Sequence, residues 1–393
     1  MSGLRSLLRS RLGRVFAAVA AVLAVATAIA LVVLWPGDEV EATLGQGLAA
    51  ASERAEVERI VAFPCSGFQT DECRRVELRL LSGVDEGDPT TLELGAGGLD
   101  PELSVGDEVR VVANAGPAAE NAPGYSLSDF ERRSPMLFLA LAFVALVILF
   151  ARLRGLLSLV GLGLSLALIL LFVVPSILAG QAPLAVAVVG AFAVMLVTIP
   201  LAHGLGPKSI AAVLGTGVSL ILTVLLAVIF TDVAHLTGLS SEEATILQAN
   251  ESGVSLEGLV LAGMVIGALG VLDDVTVSQA STVMALRAAN PTQSLRTLYG
   301  HAIRVGRDHV SATVNTLVLA YVGASLPVLL IFSSGELGFL DAVNVEVVAK
   351  EVVATLVGSI GLIAAVPVTT GLAALLSAGM REPDLAAAGA HAH

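Results

Sequence analysis

The sequence predicts an all-α polytopic membrane bundle of about eight transmembrane helices, with a small β-rich extracytoplasmic domain between the first and the second. Three observations predict it. Of 393 residues, 55% are hydrophobic and only 14% charged, with a mean hydropathy of +0.87, where a soluble protein carries about 25% charge. The apolar residues fall in long unalternating runs. In lipid only helices and closed barrels satisfy every backbone N–H and C=O, so such runs are helices. Finally, the net charge of −13 belongs almost wholly to residues 36–135, which hold twenty Asp/Glu against eight Lys/Arg. No basic stripe that would track a phosphate backbone is present, which excludes nucleic acid as a partner.

Residues 1–14 hold Arg5, Arg9, Arg11 and Arg14 and no acid, and residues 15–34 are continuously apolar up to Trp35-Pro36. A secretory signal peptide has a shorter apolar core, about 7–15 residues, and a small-residue cleavage site. Trp35 suits an interfacial anchor. Residues 1–35 therefore read as a cytoplasmic arm and an uncleaved first helix.

Residues 36–135 change character. Glu56-Val57-Glu58-Arg59-Ile60-Val61 and Arg75-Val76-Glu77-Leu78-Arg79-Leu80 alternate polar and apolar residues, the period of half-buried strands. Residues 83–89 have turn chemistry, residues 90–94 resume the alternation, and residues 105–112 read as a turn feeding another strand. About four short strands spaced by turns suggest a small barrel or sandwich, of the OB kind. Cys65 and Cys73, the only cysteines, both lie here. Outside the cytoplasm a disulfide would close a short loop between them, and two independent thiols are the alternative. No Cys or His spacing suggests a metal site, and no motif suggests a cofactor.

Residues 136–380 read as seven further helices, near 136–151, 155–179, 183–202, 209–232, 256–284, 309–333 and 350–378, followed by a cytoplasmic tail at 381–393. Basic residues test the count. Arg152 and Arg154, His203 and Lys208, then Arg287, Arg296, Arg304 and Arg307, and last Arg381 fall in alternate loops, while Glu242, Glu243, Glu251, Glu336, Asp341 and Glu346 fall in the others. Eight spans put every basic loop on the side of the N-terminus, as the positive-inside rule requires. Both termini are then cytoplasmic, residues 36–135 lie outside, and the chain belongs in the cell membrane. Pro175 and Pro367 fall within helices and predict kinks there.

Gly270-Val271-Leu272-Asp273-Asp274-Val275-Thr276-Val277-Ser278-Gln279 sets two acids inside an otherwise apolar helix. A carboxylate at the bilayer centre costs about 2.5 kcal/mol or more, and such residues face a bundle interior or a water-filled path. Neighbouring helical residues point about 100° apart. Asp274, Ser278 and Ser281 therefore form one polar stripe, and Asp273 with Thr276 starts a second. Asp274 is thirteen residues from Arg287, about 20 Å along a helix, which places the acids within the membrane. The competing reading is a solvated pair at the cytoplasmic helix end. Two carboxylates so close cannot readily both ionise in a low dielectric, so one is expected to hold a proton. Carboxylates and hydroxyls also suit a sodium ion.

The partner stretch is Arg307-Asp308-His309-Val310-Ser311-Ala312-Thr313-Val314-Asn315-Thr316. It is expected to open the next helix, with Arg307, Asp308 and His309 at a cytoplasmic entrance as caps or proton carriers. Thr313, Asn315 and Thr316 would support the acids or serve as interhelical glue. Residues 290–308 are too polar to span, and Leu295, Leu298, Ala302 and Val305 at helical spacing suggest an amphipathic helix lying at the interface. An enzyme is not expected: the acids are adjacent on one helix instead of facing across a site, and no Gly-x-Ser-x-Gly or His-Glu-x-x-His occurs.

These residues carry a resemblance. Residues 270–279, then Val305-Gly306-Arg307-Asp308-His309 running into Thr313-Val314-Asn315-Thr316-Leu317-Val318-Leu319-Ala320-Tyr321, closely resemble the YibE/F-like family of bacterial multi-pass membrane proteins. The resemblance implies architecture and no substrate. More remotely, an outer domain after the first helix, an acid in a Gly-rich helix and Thr-x-Asn-Thr-Leu on the next look like the SecD/SecF proteins and resistance-nodulation-division transporters, whose membrane acids are linked to proton movement. This chain departs from them in its two extra helices, its small outer domain and the lack of a membrane Lys or Arg partner.

The expected function is cation-coupled transport or export, with Asp273 and Asp274 binding a proton or sodium ion. The alternative is a non-transporting accessory or scaffold protein acting through the outer domain. Expected partners are the lipid bilayer, the coupling ion, and a second copy or another protein at the outer domain.

Overall fold

The computed structural model describes residues 8, 10–37, 52–63, 73–94, 101–114, 124–250, 253–335 and 338–380. The chain forms two compact units, one of Met1–Glu41 with Ala151–His393 and one of Ala42–Phe150.

The second unit is built on five strands, β1 (Glu53–Phe63), β2 (Cys73–Leu80), β3 (Pro89–Leu94), β4 (Glu108–Ala113) and β5 (Tyr125–Phe130). They form one antiparallel sheet in the order β3-β2-β1-β4-β5. The edge strands β3 and β5 still touch, so the sheet curls into a partly open barrel. Alternation explains its core: Ala55, Val57, Val76, Leu78, Leu80, Leu92, Val109 and Val111 point inward and are buried, and intervening positions carry charge. Arg75 on β2 faces its register partner Glu93 on β3 at 2.7 Å. The four strands read from the alternation are present, and β5 is the addition. Cys73 is disulfide-bonded, and Cys65 lies outside the described residues.

The first unit is helical. Its elements are α1 (Arg11–Val33), the later part of α2 (Arg133–Leu168), a π-helical turn (Ile169–Val173) with α3 (Val174–Leu178), α4 (Pro183–His203), α5 (Pro207–Val233), α6 (Glu242–Asn250), α7 (Leu256–Ala289), α8 (Leu295–Ala324), α9 (Leu326–Ser334), α10 (Phe339–Asn344) and α11 (Glu346–Ala378). Among the described residues six helical segments are long and apolar enough to cross a membrane, and α8 with α9, bent by 62°, make a seventh if they form one span.

Local chemistry sets the boundaries. Ser10, Ser255 and Ser294 cap α1, α7 and α8 by accepting from Gly13, Gly258 and Thr297 N–H groups. Pro183 and Pro207 occupy the first helical positions of α4 and α5, where no N–H is needed. The π turn just before Pro175 widens the ladder where the ring would strike the carbonyl four residues back. Within α2, Arg152 has φ 52 and ψ −131, so the helix is broken there, at the turn read from Arg152 and Arg154.

Two expectations are corrected. Residues 290–308 do not form a helix separate from a span that begins at 309, and of the apolar face read there Leu295 and Val305 stay exposed. α8 runs unbroken from Leu295, and its apolar residues Leu298 and Ala302 are fully buried in the bundle core. Packing on neighbouring helices buries that face as well as a membrane surface would. The bend comes later, at Ser325, because Pro327 has no N–H to donate to the Gly323 carbonyl one turn back in the same ladder.

α7 is the central element, with α4, α5, α8 and α11 packed around it. A Cβ on Gly379 would lie 2.7 Å from the Ser10 Cβ, so α1 begins where α11 ends.

Candidate functional site

Asp273 and Asp274 lie midway along α7. α4 and α7 run parallel, with Pro183 against Gly258 at their starts. Thr198 and Asp273 each follow those contacts by fifteen residues, about 22 Å, and they meet: Thr198 Oγ1 lies 3.4 Å from Asp273 Oδ2. The Thr198 hydroxyl already donates to the Val194 carbonyl at 2.9 Å. Its one proton is therefore shared between the Val194 carbonyl, at the shorter distance, and Asp273 Oδ2. Asp273 Oδ1 is buried and has no hydrogen-bond partner among the described residues. Asp273 as a whole is half-buried.

Asp274 differs. It is exposed from the protein and lies within electrostatic reach of His203, at the end of α4, as do Lys208 and Arg154. The expectation of a pair sequestered together is therefore corrected: the 100° turn between neighbours aims one acid into the bundle and the other out of it. Arg287 is 8% exposed and donates through Nη1 to the Gln293 carbonyl, closing the turn between α7 and α8. α7 runs on well past the α4–α5 turn where His203 and Lys208 lie.

The remaining polar residues of α7 divide by face. Thr276 is fully buried, 2.6 Å from Thr216 Oγ1 on α5, and bonds back to the Asp273 carbonyl at 3.0 Å. Gln279, 3% exposed, donates to the Ala302 carbonyl on α8 at 2.9 Å and to Thr370 Oγ1 on α11 at 2.7 Å. Ser278 and Ser281 donate to carbonyls of their own helix, as Thr313 and Thr316 do in α8.

α8 does not supply the expected second partner. The Asn315 side chain is exposed and makes no hydrogen bond among the described residues, and Arg307, Asp308 and His309 lie exposed in the interior of α8, not at its start. The contacts of Gln279 with Ala302 and of Gly267 with Tyr321 set the α7–α8 register. Asp274 is then level with the turn around Val310, so the polar run of α8 passes at its height without bonding to it.

A family model described as YibE/F-like protein matches residues 139–379. The chain belongs to the YibE/F-like family. The match runs from α2 to the end of α11 and so contains both acids, Thr198 and the polar run of α8, while the β-sheet lies outside it. No curated protein and no solved structure matches the chain. Within this YibE/F-like chain Thr198 and Thr216 are the site neighbours that sequence reading missed. Depth counting offered the one signal for Thr198, since it stands as far from Pro183 as Asp273 does from Gly258.

Proposed function

We propose that this YibE/F-like chain is a cell-membrane protein that couples movement of a solute to a proton, or else a sodium ion, bound at Asp273. One observation carries the reading: Asp273 Oδ1 is buried without a donor, and the one hydroxyl that donates to Oδ2, from Thr198, is shared with the Val194 carbonyl. An ionised carboxylate in that position lacks the hydrogen bonds that would hold its charge. A proton on the carboxyl removes that charge, and a bound cation is the other remedy. Asp274, outside the packed face and near His203, is placed to exchange that proton with the His203 imidazole, beside which lie the Lys208 and Arg154 charges. No enzymatic chemistry is part of this reading.

The proposed topology has eight spans. The break at Arg152 divides α2 into residues 133–151 and 153–168, and the first piece, about 28 Å long, suffices for a crossing. With the basic loops inside, both termini are cytoplasmic and residues 36–135 are extracytoplasmic.

The test is flux in vesicles. Asp273→Asn is expected to abolish proton- or sodium-driven solute movement with the protein still folded, and Asp274→Asn to slow it. Unchanged ion movement in the double variant would overturn the reading. A second reading, an accessory protein that recruits a copy of itself or another protein through the β unit, is supported by that unit's own core and compactness. It expects activity to survive both Asn substitutions and to be lost on deletion of residues 40–130.

A further inference from the structure

Where α7 and α11 begin, a cavity of about 450 Å³ opens between α6, α7, α8 and α11. Small-molecule sites span about 300–1,000 Å³. Leu256, Val260, Met264 and Ala354 make its walls apolar. Gly263 borders it too, and a Cβ there would meet nothing within 4 Å.

Five polar side chains line the same space: Tyr321 from α8, Lys350 and Glu351 from α11, Glu243 from α6, and Ser241 just before it. Their charges do not cancel. Glu243 is engaged at the head of its own helix, accepting from its own backbone N–H and from Ser241, and it attracts Lys350. Glu351 is half-buried, and its carboxylate has no ion pair or hydrogen bond among the described residues; its electrostatic neighbour is the Tyr321 phenol. A carboxylate partly withdrawn from water without a counter-ion is costly, and a cation relieves it.

We propose that this cavity binds a small organic ammonium ion. Its charged nitrogen meets the Glu351 carboxylate beside Tyr321, where an aromatic ring adds attraction for a cation, and its apolar body lies along Val260 and Met264. Lys350, turned about 100° from Glu351 on α11 and drawn to Glu243, repels the ligand and does not anchor it. The site goes beyond the coupling reading: Gly263 precedes Asp273 by ten residues, about 15 Å, and binding at equilibrium requires no ion gradient.

The full chain in lipid nanodiscs, titrated calorimetrically with butylammonium, butyrate and leucine against empty nanodiscs, tests it. Butylammonium is expected to bind saturably. Glu351→Gln should weaken it at least tenfold, Lys350→Gln should leave it equal or tighter, and Gly263→Val should remove it by filling the space. Thermal midpoints report folding; if Gly263→Val does not fold, Glu351→Gln decides alone. No saturable butylammonium binding to the folded wild type overturns the proposal. So does preference for butyrate or leucine, or an equal loss in Lys350→Gln and Glu351→Gln.

Discussion

Gly215 of α5 lies so near Thr369 of α11 that a Cβ on it would sit 2.0 Å from Thr369 Oγ1. Eight residues along each helix the relation is exchanged: a Cβ on Gly361 of α11 would sit 2.0 Å from Thr223 Oγ1 of α5. Two turns apart on antiparallel helices, each glycine receives the other helix's threonine. Small residues allow such backbone approach inside a membrane, where apolar burial gives helices no reason to prefer one another over lipid.

Gly215→Val and Gly361→Val should therefore each destabilise the bundle by about 1–3 kcal/mol through overpacking. Gly358→Ala on the same helix, where a Cβ meets nothing within 4 Å, should be nearly silent. Melting of the purified protein in detergent reads the difference, and equal effects at Gly358 and Gly361 would refute the close contact.

The two acids should respond unequally to neutralisation. An amide at position 273 carries no charge to leave short of hydrogen bonds, where the carboxylate has one bond shared with Val194 and a buried Oδ1 with none. Asp273→Asn is thus expected to stabilise the fold by about 1 kcal/mol. Asp274 is exposed, and Asp274→Asn should change stability by no more than about 0.5 kcal/mol. The same melting assay at neutral pH compares them, and matching shifts would count against the division.

Gln279 joins three helices through one amide. Gln279→Leu leaves the Ala302 carbonyl short of a donor and should cost about 1–3 kcal/mol. Hydrogen exchange of α8 amides near Ala302 should rise with it. Gly306→Ala should show a similar pattern, since a Cβ there would lie 2.5 Å from Val366 Cγ1 and 2.8 Å from Gln279 Oε1.

The β unit should weaken at both extremes of pH. Burial first, and then the Glu53 and Asp85 carboxylates 3.2 Å from its hydroxyl, push Tyr125 up to about 12. A phenol raised on folding contributes stability that is complete below its unfolded value near 10 and lost as pH climbs through 12. Asp129 is held low by its bond from Arg132, and Glu131 by the Arg133 backbone N–H. Those contributions are present above the unfolded carboxylate range and disappear as pH falls below it. Phenolate absorbance of wild type against Tyr125→Phe tests the alkaline limb: the missing phenol should be the one titrating near 12, and a loss near 10 would contradict the contact.

Much of the architecture was legible because it depends on local chemistry. The alternation of residues 56–61, 75–80, 90–94 and 105–112 dictated strands, since period two is a property of an extended chain. β5 was missed because Tyr125-Ser126-Leu127-Ser128-Asp129-Phe130 holds few apolar residues, and it belongs to the sheet through its pairing with β4. The apolar runs announced membrane-length helices, and Arg152 announced the break in α2. The course of residues 290–324 was not legible: a basic amphipathic stretch looks the same whether its apolar face meets lipid or α11.

By itself the sequence determined that this is a membrane protein with a small acidic β unit, and that α7 carries two unusual acids. Hydrophobicity and period are written residue by residue, so those conclusions needed no neighbours. Only the tertiary structure decided that Asp273 turns toward Thr198 while Asp274 turns outward, and that Arg287 closes a turn. It alone decided that Asn315 stands apart from both acids and that Gly215 admits Thr369. Apart from the Arg287 turn, each of these depends on which helix lies beside which and at what register, a matter of packing between residues 41 to 154 positions apart that no local pattern encodes.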